Sequence, residues 1–186
     1  MNLKELETHC KKCQKCNLYK TRNNVVFGEG NENADIMLVS EGPGYNEDIQ
    51  GVPFVGKAGQ LLDKMLQAVD LSRDEIYITN IVKCRPPNNR NPLEDESKIC
   101  LDFLRYQVKL IQPKIIVCMG AVAAKNLIQS DISITRERGT WVRKGNIDFI
   151  PIYHPAYLLR NPSAKKDSWE DLKSIRKHLD LLANND

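Results

Sequence analysis

Six cysteines stand at positions 10, 13, 16, 84, 100 and 118 of the 186-residue chain. In a reducing compartment such thiols read as metal ligands, reactive groups or core residues rather than as a disulfide framework. Cys13, Cys16, Cys84 and Cys100 supply four thiolates, enough for zinc or for an iron–sulfur cluster. The gap between Cys84 and Cys100 is not the paired C-x-x-C spacing of a zinc ribbon, so spacing alone leaves the metal open. Cys118, inside "IIVCMG", reads as a small buried hydrophobe.

A second group of candidates lies in "SEGPGYNEDIQGVPFVGKAG", residues 40 to 59. Its glycines allow close turns that present backbone N–H groups to an acceptor. The spacing fits neither G-x-x-x-x-G-K-[ST] nor G-x-G-x-x-G, which argues against nucleoside triphosphate hydrolysis. Glu41, Glu47 and Asp48 offer acid, base or electrostatic chemistry, and Phe54 offers an aromatic face. Asn80 interrupts an apolar run, where a buried amide is costly unless its donors and acceptor are met, and it suits the edge of an amide-like base. His154 directly follows another apolar run; His9 and His178 have no such placement and read as surface residues. In "HPAYLLRNP", Tyr157, Leu158 and Leu159 form a loop tip that either packs down or wedges between stacked bases, with Arg160 on phosphate.

The elements that must position these residues alternate. "IMLVS" (36 to 40), "IYITNIV" (76 to 82), "KIIVC" (114 to 118) and "IDFIPIY" (147 to 153) are short, β-branched and apolar, as strands buried on both faces are. Helical periodicity covers "KAGQLLDKMLQAVD" (57 to 70), a stretch from Leu93 to Gln112 that stops at Pro113, "AVAAKNLIQ" (121 to 129), and the carboxy-terminal stretch through Trp169, Leu172 and Ile175. Four β-α units in series imply a four-stranded parallel sheet with helices on both faces. Such sheets bind ligands at the carboxyl ends of their strands, where Ser40, Asn80 and His154 fall. Hydrophobic residues at 41% support a single domain over residues 1 to 186. No apolar run reaches the length of a membrane span, and the amino terminus lacks a signal-peptide core, so a soluble cytoplasmic protein is expected. The net charge of +3 permits a polyanionic partner without requiring one. Local basic clusters stand at Lys11/Lys12/Lys15, Lys83/Arg85/Arg90, Arg136/Arg138/Arg143/Lys144 and Arg160/Lys165/Lys166.

Taken together, "VSEGPGYNEDIQGVPFVGKAGQLLDKML", "YITNIVKCRPPNNRNP", the "KIC" around Cys100, and "YHPAYLLRNP" resemble the family 4 uracil-DNA glycosylases, the iron–sulfur branch of that superfamily. The resemblance runs from about Leu3 to Leu182, in the family's order. It implies a three-layer α/β/α sandwich and hydrolysis of the N-glycosidic bond of uracil in single- or double-stranded DNA, by a monomer. It also implies a [4Fe-4S] cluster on Cys13, Cys16, Cys84 and Cys100, tying down residues 1 to 24. The implied uracil site comprises the backbone of Ser40, Glu41 and Gly42, the Phe54 ring, the Asn80 side chain and His154, with Glu47 crowding the methyl group of thymine. Glu41 and His154 are the implied catalytic groups, and Tyr157, Leu158, Leu159 and Arg160 the implied DNA-binding loop. Ser40 stands where the family more often has glycine, and Cys10 is additional, a spare thiol beside a filled four-ligand site. The loop after Cys84 contains no histidine, so ordinary turnover is expected rather than the covalent trapping of a related branch. Without the resemblance, the cysteines alone allow an iron–sulfur electron carrier or a zinc-stabilised, non-catalytic DNA-binding module.

Overall fold

Strands buried on both faces form the centre of the sheet in the computed structural model, which describes residues 1–184. In chain order the helices are α1 (Leu3–Lys11), α2 (Tyr45–Gln50), α3 (Lys57–Gln67), α4 (Glu94–Ile111), α5 (Ala121–Leu127), α6 (Ile134–Glu137), α7 (Pro155–Arg160) and α8 (Lys165–Ala183). The strands are β1 (Glu29–Gly30), β2 (Ile36–Ser40), β3 (Tyr77–Asn80), β4 (Ile115–Met119), β5 (Val142–Lys144) and β6 (Ile147–Ile152). They form one sheet in the order β1-β3-β2-β4-β6-β5. The four central strands are mutually parallel, as their apolar runs predict.

The expected four-stranded sheet is corrected to six strands, because β1 and β5 add antiparallel edges. Both are too short and too exposed to carry an apolar period, so only pairing with a finished neighbour defines them. The three layers follow from alternation along β2. Met37 and Val39 join Leu6, Leu104 and Ile116 on the side of α1 and α4. Ile36 and Leu38 join Leu62, Met65 and Leu172 on the side of α3 and α8. No helix among the described residues is long and apolar enough to cross a membrane.

Register then fixes where the chemistry falls. Ser40 pairs with Asn80 at the carboxyl ends of β2 and β3. Ile152 ends β6, two residues before His154. Gly120, at φ +91°, turns the chain after β4, and a Cβ there would lie 3.3 Å from the His154 Cβ. A side chain at 120 would therefore be both strained and crowded against the histidine.

Candidate active site and cysteine cavity

A cleft of about 390 Å³ opens at the carboxyl ends of β2, β3 and β6. Ser40, Glu41, Gly42, Glu47, Phe54, Asn80, His154 and Arg160 all line it, so the structure gathers every base-site residue expected from the sequence. Asn80 is only 2% exposed, yet no described residue hydrogen-bonds its amide, whose atoms are not sealed from the cleft. A buried amide without a protein partner has its donors and acceptor free for a ligand.

His154 is fixed at both nitrogens. Nδ1 accepts from the Ala156 backbone N–H at 2.9 Å, which leaves the proton on Nε2, 2.7 Å from the Ser40 Oγ. Burial, reinforced by the Arg160 guanidinium, pulls the imidazole down to about 4, so the ring is neutral at physiological pH. It is a preorganised neutral donor, satisfied by Ser40 until an acceptor enters the cleft. Burial pushes the Glu41 carboxyl above the usual carboxylate range, opposed by Arg160.

Phe54 faces His154 with ring centroids 5.6 Å apart. Its backbone is left-handed, at φ +54°, which costs a non-glycine residue about 1–2 kcal/mol. Arg73 offsets that strain by donating to the carbonyls of Phe54 at 2.6 Å and Pro53 at 3.1 Å. Gly59 packs beneath the turn so closely that a Cβ would lie 1.9 Å from the Phe54 carbonyl oxygen. Glu47 accepts from the N–H groups of Val55 and Gly56 at the start of α3, which holds its carboxylate in the cleft wall. Asp48, read from the sequence as a chemical acid, is instead fully buried and accepts from the backbone N–H groups of Asn23 and Asn24, latching α2 to the amino-terminal segment.

The "HPAYLLRNP" segment is corrected from a loop tip to the helix α7. Pro155 suits its first turn, and the helical turn carries the apolar side chains in different directions. Leu158 is 1% exposed in the core and Tyr157 stacks on Tyr153 at 4.7 Å. Leu159, 43% exposed, and Arg160, in the cleft wall, remain outward. His178 is also no free surface residue: it stacks on Trp141 and lies 2.8 Å from the Asp148 carboxylate.

The loop after Cys84, a segment the sheet rule selects but in which sequence reasoning names no site residue, also lines the cleft with Pro86, Asn89, Arg90 and Pro92. Arg90 is pinned there by two hydrogen bonds to Glu96. Sequence reasoning also misplaced Lys83, which belongs to no basic surface patch and is 1% exposed. The Lys83-Cys84 dipeptide, read as surface charge beside a ligand, carries no periodic signal that could reveal this.

Cys13, Cys16, Cys84 and Cys100, all free thiols, line one small cavity with Cys10, Arg22 and Lys83. The Arg22 guanidinium donates to the Cys84 Sγ at 3.3 Å and the Lys83 backbone N–H to the Cys100 Sγ at 3.4 Å. No three His, Cys, Asp or Glu side chains among the described residues are gathered as a single metal ion would need. Four thiols lining one cavity, with N–H donors and two cations around them, are the donor set that a larger thiolate-bound cluster takes.

The fold and cleft define a class: an α/β/α protein with an unpaired amide, a neutral histidine and an aromatic ring at the carboxyl edge of a parallel sheet. The profile of the Uracil DNA glycosylase superfamily matches residues 27–173, and the chain belongs to that family. A type-4 uracil-DNA glycosylase of Archaeoglobus fulgidus is 44% identical over 173 residues, covering 88% of this chain and 86% of the relative. One of Saccharolobus solfataricus is 44% identical over 187 aligned positions, covering 96% and 87%. One of Thermotoga maritima is 47% identical over 157 residues, covering 82% and 81%.

Proposed function

We propose that the protein is a DNA-repair enzyme that flips uracil out of DNA and hydrolyses its N-glycosidic bond, leaving an abasic site. The observation that carries this reading is the buried, unpaired Asn80 amide opposite the neutral His154 donor in a single cleft. Uracil inside a duplex is out of reach, so it must be extruded at a cost of a few kcal/mol. Leu159 is the apolar side chain left to fill the vacated space, and Arg160 the cation beside it.

In the cleft the base stacks on Phe54, and the Asn80 amide pairs with O4 and N3–H. Cytosine reverses that donor and acceptor and is rejected, because the amide would then be left unpaired. Cleavage puts negative charge on the uracil ring and positive character on the sugar. The Nε2–H of His154, with backbone N–H groups of Glu41 and Gly42, stabilises charge developing on O2. The carboxylate of Glu41 places the attacking water or balances the sugar's charge, and Glu47 crowds the methyl group of thymine.

Cys13, Cys16, Cys84 and Cys100 hold a [4Fe-4S] cluster whose role is structural, tying residues 1 to 24 to the end of β3 and to α4. Cys10 stands beside it as a spare thiol. The protein acts as a cytoplasmic monomer on single- or double-stranded DNA. Incubation of cluster-loaded protein with uracil-, thymine- and hypoxanthine-containing oligonucleotides, followed by alkali, tests the reading. Cleavage at uracil alone is expected, and an uncut uracil strand would refute it.

A further inference from the structure

Lys83 lies between the two sites. It is 1% exposed, and among the described residues no carboxylate pairs with it. Its ammonium carries three N–H donors, and each has one acceptor: the Thr79 Oγ1 at 2.6 Å, the Asn80 carbonyl oxygen at 2.6 Å and the Gln107 Oε1 at 2.7 Å. Those acceptors are themselves held. The Thr79 hydroxyl donates to the Phe27 carbonyl at 2.8 Å, as does the Gln107 amide.

The Asn80 carbonyl needs this partner for a topological reason. The Ile81 N–H reaches the Ser40 carbonyl of β2 at 2.8 Å, so the Asn80 carbonyl points to the opposite edge of β3. There β1 pairs only as far as Ile78. Past the end of that ladder, Lys83 supplies the missing donor. A buried ammonium without a carboxylate partner costs several kcal/mol. The three hydrogen bonds offset part of that cost and hold the amine in one place.

We propose that Lys83 is a positioning residue for base choice: its side chain holds the Asn80 backbone, and with it the amide that faces the base, against Thr79 of β3 and Gln107 of α4. The same residue borders the cysteine cavity through its backbone N–H on the Cys100 Sγ. With a cluster bound, the thiolates of Cys84 and Cys100 would supply counter-charge beside it. Lys83 thus makes the end of β3 a shared wall of both sites.

This inference rests on the reading of Asn80 as the base-facing group, and the test separates the two. In cluster-loaded full-length protein, Lys83→Met removes the three donors at nearly constant length. Single-turnover excision of uracil is expected to fall about tenfold or more, the worth of one well-placed hydrogen bond. The uracil-over-cytosine ratio narrows with it, while DNA affinity stays within about threefold. Iron content stays at the wild-type level, and the melting temperature drops.

Adding Gln107→Leu removes one acceptor of the Lys83 amine together with the Gln107 bonds to Phe27 and Tyr77, and the double variant is expected to regain neither rate nor ratio. Wild-type rate and ratio in Lys83→Met would overturn the proposal, as would recovery of both along with stability in the double variant. Failure of both variants to fold with iron bound would overturn it too, by making Lys83 a folding residue. Asn80→Ala is the separate control: undiminished uracil excision there refutes the Asn80 reading itself, whatever Lys83 does.

Discussion

Replacing His154 by alanine removes a neutral hydrogen-bond donor, and the structure sets how large and how pH-dependent the loss is. Nδ1 accepts the Ala156 N–H, so protonating the ring would set two donors against each other, and Arg160 adds a like charge. Burial first, and the like charge of Arg160 after it, hold the imidazole at about 4 against an ordinary 6.5. Loss of one preorganised donor to a developing oxyanion costs about 10²–10³ in rate, or about 3–4 kcal/mol. Single-turnover excision by His154→Ala is therefore expected to fall by that factor, with DNA affinity changed less than about threefold. His154 should contribute no inflexion to the wild-type rate near pH 6.5, because no imidazolium forms there.

Stability gives a second reading of the same group. Between pH 6.5 and about 4 the unfolded chain binds a proton that the folded chain refuses. Stability therefore falls as the pH drops through that window, by no more than about 3 kcal/mol in all. Chemical denaturation across this range should show a steeper slope in the wild type than in His154→Ala, which keeps only the part due to its carboxylates. A wild-type rate that rises toward acid around pH 6.5, and loses that rise in the variant, would refute the neutral-donor reasoning and make His154 a general acid. Equal losses of binding and rate would refute its place at the reacting base.

Asn80→Asp replaces donor and acceptor with acceptors alone, so uracil excision should fall at least about a hundredfold while the ratio to cytosine narrows, measured on matched oligonucleotides. An unchanged preference would remove Asn80 from base recognition. Gly59→Ala drives a Cβ to within 1.9 Å of the Phe54 carbonyl oxygen. Melting should show a loss of about 1–3 kcal/mol, with KM for uracil raised as the Phe54 turn shifts; wild-type values would show that the turn does not need the glycine. Cys13→Ala should lose iron and visible absorbance on purification, and Cys10→Ala should keep both. Colourless Cys10→Ala protein would make that residue a ligand.

Local chemistry makes much of this protein legible in its residues alone. The β-branched runs at 36 to 40 and 114 to 118 are buried on both faces and carry their own signal, and the sheet rule then puts Ser40, Asn80 and His154 at one edge. A strand of two or three residues has no period to read, so β1 and β5 stay hidden. The "PAYLLR" run is too short to separate helix from loop, so the burial of Leu158 emerges only when α7 packs on the core. Lys83 shows the division most sharply. It follows the apolar Ile81 and Val82 at a strand end and precedes Cys84 and Arg85, and nothing local says that its amine turns inward. Its three acceptors come from Thr79, Asn80 and Gln107, and Gln107 lies on a helix 24 residues away. Residue types and strand ends are written in the chain; which buried polar groups find one another is decided only by the packing of α4 against β3.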